Sequence, residues 1–173
     1  AEMLDEVVVT AYGTSTKGSF TGSASVMKAD KIEKRQVSNV SNALAGAVAG
    51  CQAECGAAAA MAAGAVTQLL GSPPKQVLNA VALALKNILG LTCDPVCGLV
   101  EVPCVKRNPF MAIIAMTACE MAMSGVESKI PVDEVVDAMD QTGQLMSPAL
   151  KESSLGGLAR TKTALELQKR LFG

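Results

Sequence analysis

The sequence predicts a mainly α chain: a compact helical domain with a cysteine-rich loop, preceded by a short β/α fragment. Three observations carry this. From Cys51 onward, alanine-rich segments of helical length recur between Gly and Pro breakers. The stretch Leu91–Asn108 (LTCDPVCGLVEVPCVKRN) interrupts them with three of the six thiols around Asp94, Pro95, Gly98 and Pro103, and cannot be helical throughout. Residues 1–50 have a different texture, rich in Ser, Thr, Gly and Val and without cysteine.

Taken in order, Glu6–Ala11 (EVVVTA) is a β-branched run ended by Tyr12-Gly13, a strand followed by a turn. Ser23–Met27 alternates like a short exposed strand, and Ala29–Lys34 and Val40–Ala45 read as short helices, the second capped by Ser38 or Asn39. Ala53–Leu70 is a small-residue helix ended by Gly71 and Pro73-Pro74. Lys75–Leu89 is apolar on nearly every face except a stripe through Asn79, Lys86 and Asn87, which predicts a buried helix closed by Gly90. A helix from about Pro109 to Ser124 follows the loop, with Pro109 near its first turn. Ile130-Pro131 opens another, Val132–Met146, with Val135, Val136 and Met139 facing a core. Gly156-Gly157 is a hinge or tight turn, and Ala164–Leu171 a last short helix.

Composition excludes some functions. With a net charge of −1, a pI near 5.5 and 2% aromatics, the chain offers neither a basic footprint nor a stacking platform, so nucleic acid is not an expected partner. Mean hydropathy is +0.33, yet the longest apolar stretches, Gly56–Val66 and Pro109–Cys119, fall short of the roughly 20 residues of a spanning helix. No membrane span and no signal peptide are expected. Free cysteines in helical runs favour a reducing compartment.

The thiols are the chemical signal. Pro95 and Pro103 restrict φ and Gly98 permits a bend, so Cys93–Cys104 can fold round an inorganic core, while Cys51 sits just ahead of a helix N-terminus that favours a thiolate. No tight paired CxxC zinc pattern is present, and without histidine no His-containing zinc site is possible. From spacing alone, a metal or cluster site and six unrelated buried thiols both stand.

The segments GCQAECGAAAAMAA (Gly50–Ala63), LALKNILGLTCDPVCGLVEVPCVKRN (Leu83–Asn108), IPVDEVVDAM (Ile130–Met139) and SSLGGLARTKT (Ser153–Thr163) go further. Together they resemble the C-terminal part of the α domain of iron–sulfur-dependent L-serine dehydratases (L-serine ammonia-lyases), from residue 50 to residue 173. The resemblance implies a 4Fe–4S cluster held by Cys51, Cys93 and Cys104, forty-two and eleven residues apart as that family's motif requires. It leaves Cys55, Cys97 and Cys119 as packing residues. With three ligands, one iron is open, and the implied chemistry is Lewis-acid catalysis: serine binds through carboxylate and hydroxyl, a base takes the α-proton, water leaves, and pyruvate and ammonia result. Lys106, Arg107 and Asn108 are candidates to orient a carboxylate or the cluster's charge, against the alternative of a solvent-facing helix flank. Asn87 is a candidate to support the ligands, and the catalytic base is unknown. L-serine is the implied substrate, and a homodimer one expected assembly.

Members of that family also carry SHTxGP-type and APTNGA-type segments that supply substrate-binding and proton-transfer groups. Neither occurs here, so activity is expected to be weak or absent. Leu4–Gly50, from LDEVVVTAYG to NALAGAVAG, resembles instead the start of the plug of SusC/RagA-like TonB-dependent outer-membrane receptors. The expected organisation is therefore a plug-like fragment over 1–50 and a dehydratase-like helical domain over 51–173, with a junction at Ala49–Gln52. The expected location is cytoplasmic, or outer membrane and periplasm if the N-terminal resemblance governs. Two alternative functions follow: a plug fragment of a transporter, and a cluster-dependent cysteine desulfidase with a similar ligand layout.

Overall fold

The computed structural model describes residues 7–10, 13–16 and 49–173. Strands β1 (Val7–Thr10) and β2 (Gly13–Thr16) pair antiparallel, with Val7 opposite Thr16 and Thr10 opposite Gly13. The β-branched run does form a strand. Gly13, expected in the turn, is the first residue of β2 instead, because a hairpin with so short a connection starts pairing at once. The expected elements at Ser23–Met27, Ala29–Lys34 and Val40–Ala45 lie outside the described residues.

From Ala49 the chain is helical: α1 (Cys55–Leu69), α2 (Pro74–Lys86), α3 (Cys104–Met123), α4 (Val132–Leu145) and α5 (Lys162–Phe172). Their ends follow the local chemistry. Gly71 at φ +81° closes α1, and Pro74 sits at N1 of α2, where its missing N–H costs no intrahelical bond. Asp133 and Glu134 in the first turn of α4 complement the helix dipole, and the Thr161 hydroxyl accepts from Ala164 N to cap α5.

One boundary differs from the sequence expectation. Helix α3 begins at Cys104, and Pro109 lies inside it. A proline this close to the start removes only the bond to the Val105 carbonyl, so the helix continues through it. The earlier turn is held by Arg107 N donating to Pro103 O at 3.0 Å and by tertiary bonds of the Arg107 side chain. Cys104 thereby moves from a loop to the first turn of a helix.

Helices α1, α2 and α3 pack on one another and α4 lies against α2. The shared core is mostly alanine (Ala60, Ala63, Ala80, Ala82, Ala84, Ala115, Ala118 and Ala122) around Leu83 and Val135. Small side chains let the helix axes approach closely. At Gly64 of α1, a Cβ would stand 2.9 Å from Val81 Cγ2 of α2. The polar stripe of α2 is used rather than exposed: Asn79 Oδ1 accepts from Ser128 N at 2.7 Å, and Lys86 Nζ donates to Ser128 O at 3.1 Å. These bonds fasten the α3–α4 connection. Helix α4 turns Val135 and Met139 to the core, but Val136 is exposed, contrary to expectation. A helix packed mainly on one neighbouring helix buries a narrow stripe, and Val136 lies a hundred degrees round from Val135. Among the described residues, no helix is long and apolar enough to cross a membrane.

Gly64→Val should therefore destabilise the helical domain by about 1–3 kcal/mol through overpacking against Val81, read as a lower denaturant midpoint. An unchanged midpoint would mean that α1 and α2 have room to spare.

Candidate functional site

The site is assembled from three backbone segments. Cys51 opens a single 3-10 turn, Cys51–Ala53, just before α1, and is fully buried. Gly50 precedes it at φ +76°, where a Cβ would stand 2.7 Å from Met146 Sδ and 2.9 Å from Leu91 O. Only glycine meets both conditions. Gln52 then pins the turn: its N–H donates to Leu91 O at 3.0 Å, its Nε2 to Met139 O at 2.9 Å, and its Oε1 accepts from Gly90 N at 2.9 Å. A buried amide with every bond satisfied ties Cys51 to the end of α2 and to α4.

Cys93 lies in the loop between α2 and α3, at 2% exposure. Its N–H donates to Leu150 O at 2.8 Å, and its carbonyl accepts from Glu152 N at 2.7 Å, so the loop pairs with the segment after α4. Next to it, Asp94 is buried and fully engaged. Its Oδ1 accepts from Arg107 Nη2 at 3.0 Å, and its Oδ2 accepts from Leu158 N at 2.8 Å. Arg107 Nη1 donates to Thr92 O at 2.7 Å. Ser154 Oγ donates to Pro95 O at 2.7 Å. The Gly156-Gly157 pair is a tight turn pressed onto this loop rather than a hinge. Gly157, at φ +56°, leaves no room for a Cβ beside the Asp94 carboxylate.

Four thiols meet there. Cys51, Cys55 and Cys93 form one buried cluster, with Leu91 and Met111 packed against it. Cys51 Sγ and Cys55 Sγ are 3.4 Å apart, and Cys55 Sγ donates to Asn108 Oδ1 at 3.6 Å. Cys104, half-buried in the first turn of α3, bonds through its sulfur with Cys93. The charge is unevenly divided. Bonds from Cys55 and Cys93, with the Arg107 cation, hold the Cys51 thiol well below the ordinary thiol range despite burial. A bond from Cys93 lowers Cys104 likewise. Cys93, bonded to Cys104 and Cys51 and buried, is pushed up, as is Cys55 by Cys51 and by burial. Two of the four sulfurs are thus shifted toward the anion and two away from it. Burial acts to lower Arg107, but Cys51 and Asp94 outweigh it and raise the guanidinium further. Glu54 is raised by burial first and by the Cys51 charge second.

The expected ligands Cys51, Cys93 and Cys104 are thus brought together. Among the described residues, no group of three or more His, Cys, Asp or Glu side chains is arranged to hold a single metal ion. Of the expected supporting residues, Arg107 and Asn108 reach the thiols, Lys106 is exposed on the same helix turn, and Asn87 donates to Leu83 O of its own helix at 2.7 Å. Cys97 occupies a left-handed turn (φ +58°) and its Sγ faces Ala164 O at 3.8 Å, and Cys119 packs against Met123 Sδ at 3.7 Å. Cys55 departs from the expectation of a packing residue. The signal for it was local: in CQAEC the fourth residue after Cys51 returns to the same side of the first helical turn. A cavity of about 680 Å³ between the start of α2 and the α3–α4 connection, lined by residues such as Lys75, Asn79 and Ser128, includes none of these thiols.

Two outcomes are expected. Asp94→Ala leaves the Arg107 cation without its partner and should cost about 3–5 kcal/mol in chemical denaturation; a loss within error would show the pair to be incidental. Glu54 has a raised folded pKa, so its contribution to stability is full below the unfolded carboxylate range and is lost as pH rises through the folded value. Glu54→Gln should then raise the melting temperature of the metal-free chain at neutral pH and leave it unchanged in acid. An equal effect at both would remove the electrostatic cause.

The comparisons with known proteins bear on this site directly. The family model described as "Serine dehydratase alpha chain" matches residues 35–159, a span that takes in the whole thiol site and residues 35–50 ahead of it. The chain is 55% identical over 130 residues to a probable L-serine dehydratase, alpha chain, of Bacillus subtilis (strain 168), covering 75% of this chain and 43% of that one. It is 50% identical over 130 residues to a protein of the same description from Latilactobacillus sakei, covering 75% and 62%. With the L-serine dehydratase, alpha chain, of Peptoniphilus asaccharolyticus it shares 49% identity over 125 residues, covering 72% and 43%. The matched region therefore spans between 43% and 62% of the length of these relatives. With its thiol segments, Asp94 loop and glycine pair all inside the matched span, this chain belongs to the serine dehydratase alpha chain family.

Proposed function

We propose that this chain carries the cluster-binding part of an L-serine ammonia-lyase, which converts L-serine to pyruvate and ammonia. The observation that carries this reading is the meeting of Cys51, Cys93 and Cys104 in one buried site from positions forty-two and eleven residues apart. Named relatives that are L-serine dehydratases support it. The donor set fits an iron–sulfur group: soft sulfur ligands, two of them with lowered pKa values, with the nearby Asp94 carboxylate occupied by Arg107 and Leu158.

Cys51, Cys93 and Cys104 would hold a 4Fe–4S cluster, which supplies Lewis-acid activation of a substrate hydroxyl and carboxylate. The protein's own contribution is positional. Arg107, committed to Thr92 O, Asp94 and Cys51, holds the ligand loop and offsets thiolate charge rather than clamping a substrate. Lys106 and Asn108, exposed at the start of α3, are the residues available to meet a substrate carboxylate. Asn87, whose amide caps α2, supports the loop only through that helix end. Burial of Cys51 and Cys93 keeps water from the ligand sulfurs.

Residues 1–50 are proposed as a separate plug-like unit. The β1–β2 hairpin within the EVVVTAYGTST segment supports that reading, and location in a membrane fraction tests it. Recovery of the full chain wholly from the cytoplasm, where the dehydratase reading puts it, would count against it.

Anaerobic reconstitution with iron and sulfide should give the chain broad visible absorbance. Cys93→Ala should abolish that absorbance and Cys97→Ala should leave it; a colourless wild type, or a coloured Cys93→Ala, overturns the cluster. Comparing pyruvate release from serine and from cysteine separates ammonia-lyase from cysteine desulfidase.

A further inference from the structure

Cys55 belongs to the thiol site without having a ligand's place in the chain. Cys119 shows what a packing cysteine looks like here, its sulfur set against Met123 Sδ in an apolar helix face. Cys55 instead has one sulfur and one amide oxygen as hydrogen-bonding partners, Cys51 Sγ at 3.4 Å and Asn108 Oδ1 at 3.6 Å, and is buried. Its position is held by a helix rather than a loop. It is the first residue of α1, whose opening turn is closed by Ala58 N donating to Glu54 O at 3.0 Å. The adjoining Gly56 packs so closely on Ile88 that a Cβ would stand 3.2 Å from its Cγ2. The backbone therefore fixes where the Cys55 Cβ stands relative to the Cys51 turn.

A thiol has one proton to give. While Cys51 keeps its own, it can donate to Cys55, and Cys55 to Asn108. A Cys51 bound to iron has no proton and carries negative charge, so its sulfur becomes the stronger acceptor of the two within reach of Cys55. We propose that Cys55 is a positioning residue for metal-bound Cys51, its S–H donating a hydrogen bond to the ligand sulfur and raising the reduction potential of the bound cluster. Hydrogen bonds to ligand sulfurs withdraw charge from the iron–thiolate bond, which makes the reduced, more negative form easier to reach. This inference rests on the cluster reading above and adds a residue that the three-ligand spacing leaves out.

The test is a redox titration of the reconstituted full chain, followed by electron paramagnetic resonance, for wild type, Cys55→Ala and Cys55→Ser. Equal iron and sulfide content is expected in all three. Cys55→Ala should shift the midpoint to more negative potential, and Cys55→Ser, which retains an O–H donor, should return it toward wild type. Coincident midpoints in the three proteins would overturn the hydrogen bond. Loss of iron in Cys55→Ala would overturn it too, making Cys55 a ligand or a structural residue. A wild type that takes up no iron overturns the cluster reading and this inference with it, whereas loaded proteins with coincident midpoints overturn this inference alone.

Discussion

The Asp94 carboxylate is the point on which the site depends. A buried charge is stable only when its partners surround it, and Asp94 has two: the Arg107 guanidinium and the Leu158 backbone N–H. Asp94 adjoins Cys93, and Arg107 lies one helical turn after Cys104. The ion pair therefore sets the separation of two thiol-bearing segments that the chain itself joins only through a loop of two prolines and a glycine. Leu158 brings in the C-terminal turn, and the lack of a side chain at Gly157 is what lets that turn close on the carboxylate. Three segments converge on one group, so none can move without uncovering a charge.

Gln52 plays the equivalent part for Cys51 without any charge. Its amide and backbone bond to Met139, Gly90 and Leu91, which belong to α4, to the end of α2 and to the Cys93 loop. The close approach this demands is met by glycine at each contact: Gly50 beside Met146, Gly56 beside Ile88, and Gly143 beside Ala49. The alanine core works on the same principle. It contributes little apolar area per residue, and it gains in return short distances between helices. Short helix separations bring Cys51, at the start of α1, under the loop that carries Cys93.

Inside this frame two of the thiols are shifted toward the anion and two away from it, with Arg107 as a nearby cation. Ionising all four in a buried space would place like charges together, and a shared network avoids that by letting each anionic sulfur accept from a neutral one. It also explains why Cys55, which the spacing of the motif passes over, belongs with the others.

What the sequence by itself determined is local. The β-branched run of β1, the alanine helices, the Gly and Pro breaks between them and the non-helical loop with its three thiols all follow from periodicity and backbone restriction. The resemblance of the thiol segments to a known family marked Cys51, Cys93 and Cys104 as candidate ligands, where spacing alone left them open. Only the tertiary structure decided the rest. Pro109 stood as a start signal until the bonds of Arg107 carried α3 back to Cys104. Val135 and Val136 looked equivalent until α4 laid only the Val135 side against the core. Gly156-Gly157 read as a hinge or a tight turn, and the buried carboxylate against it decided for the turn. Cys55 looked like packing until Cys51 was turned toward it. In each case the deciding partner lies far along the chain or depends on how a turn is oriented, and neither periodicity nor propensity contains that information.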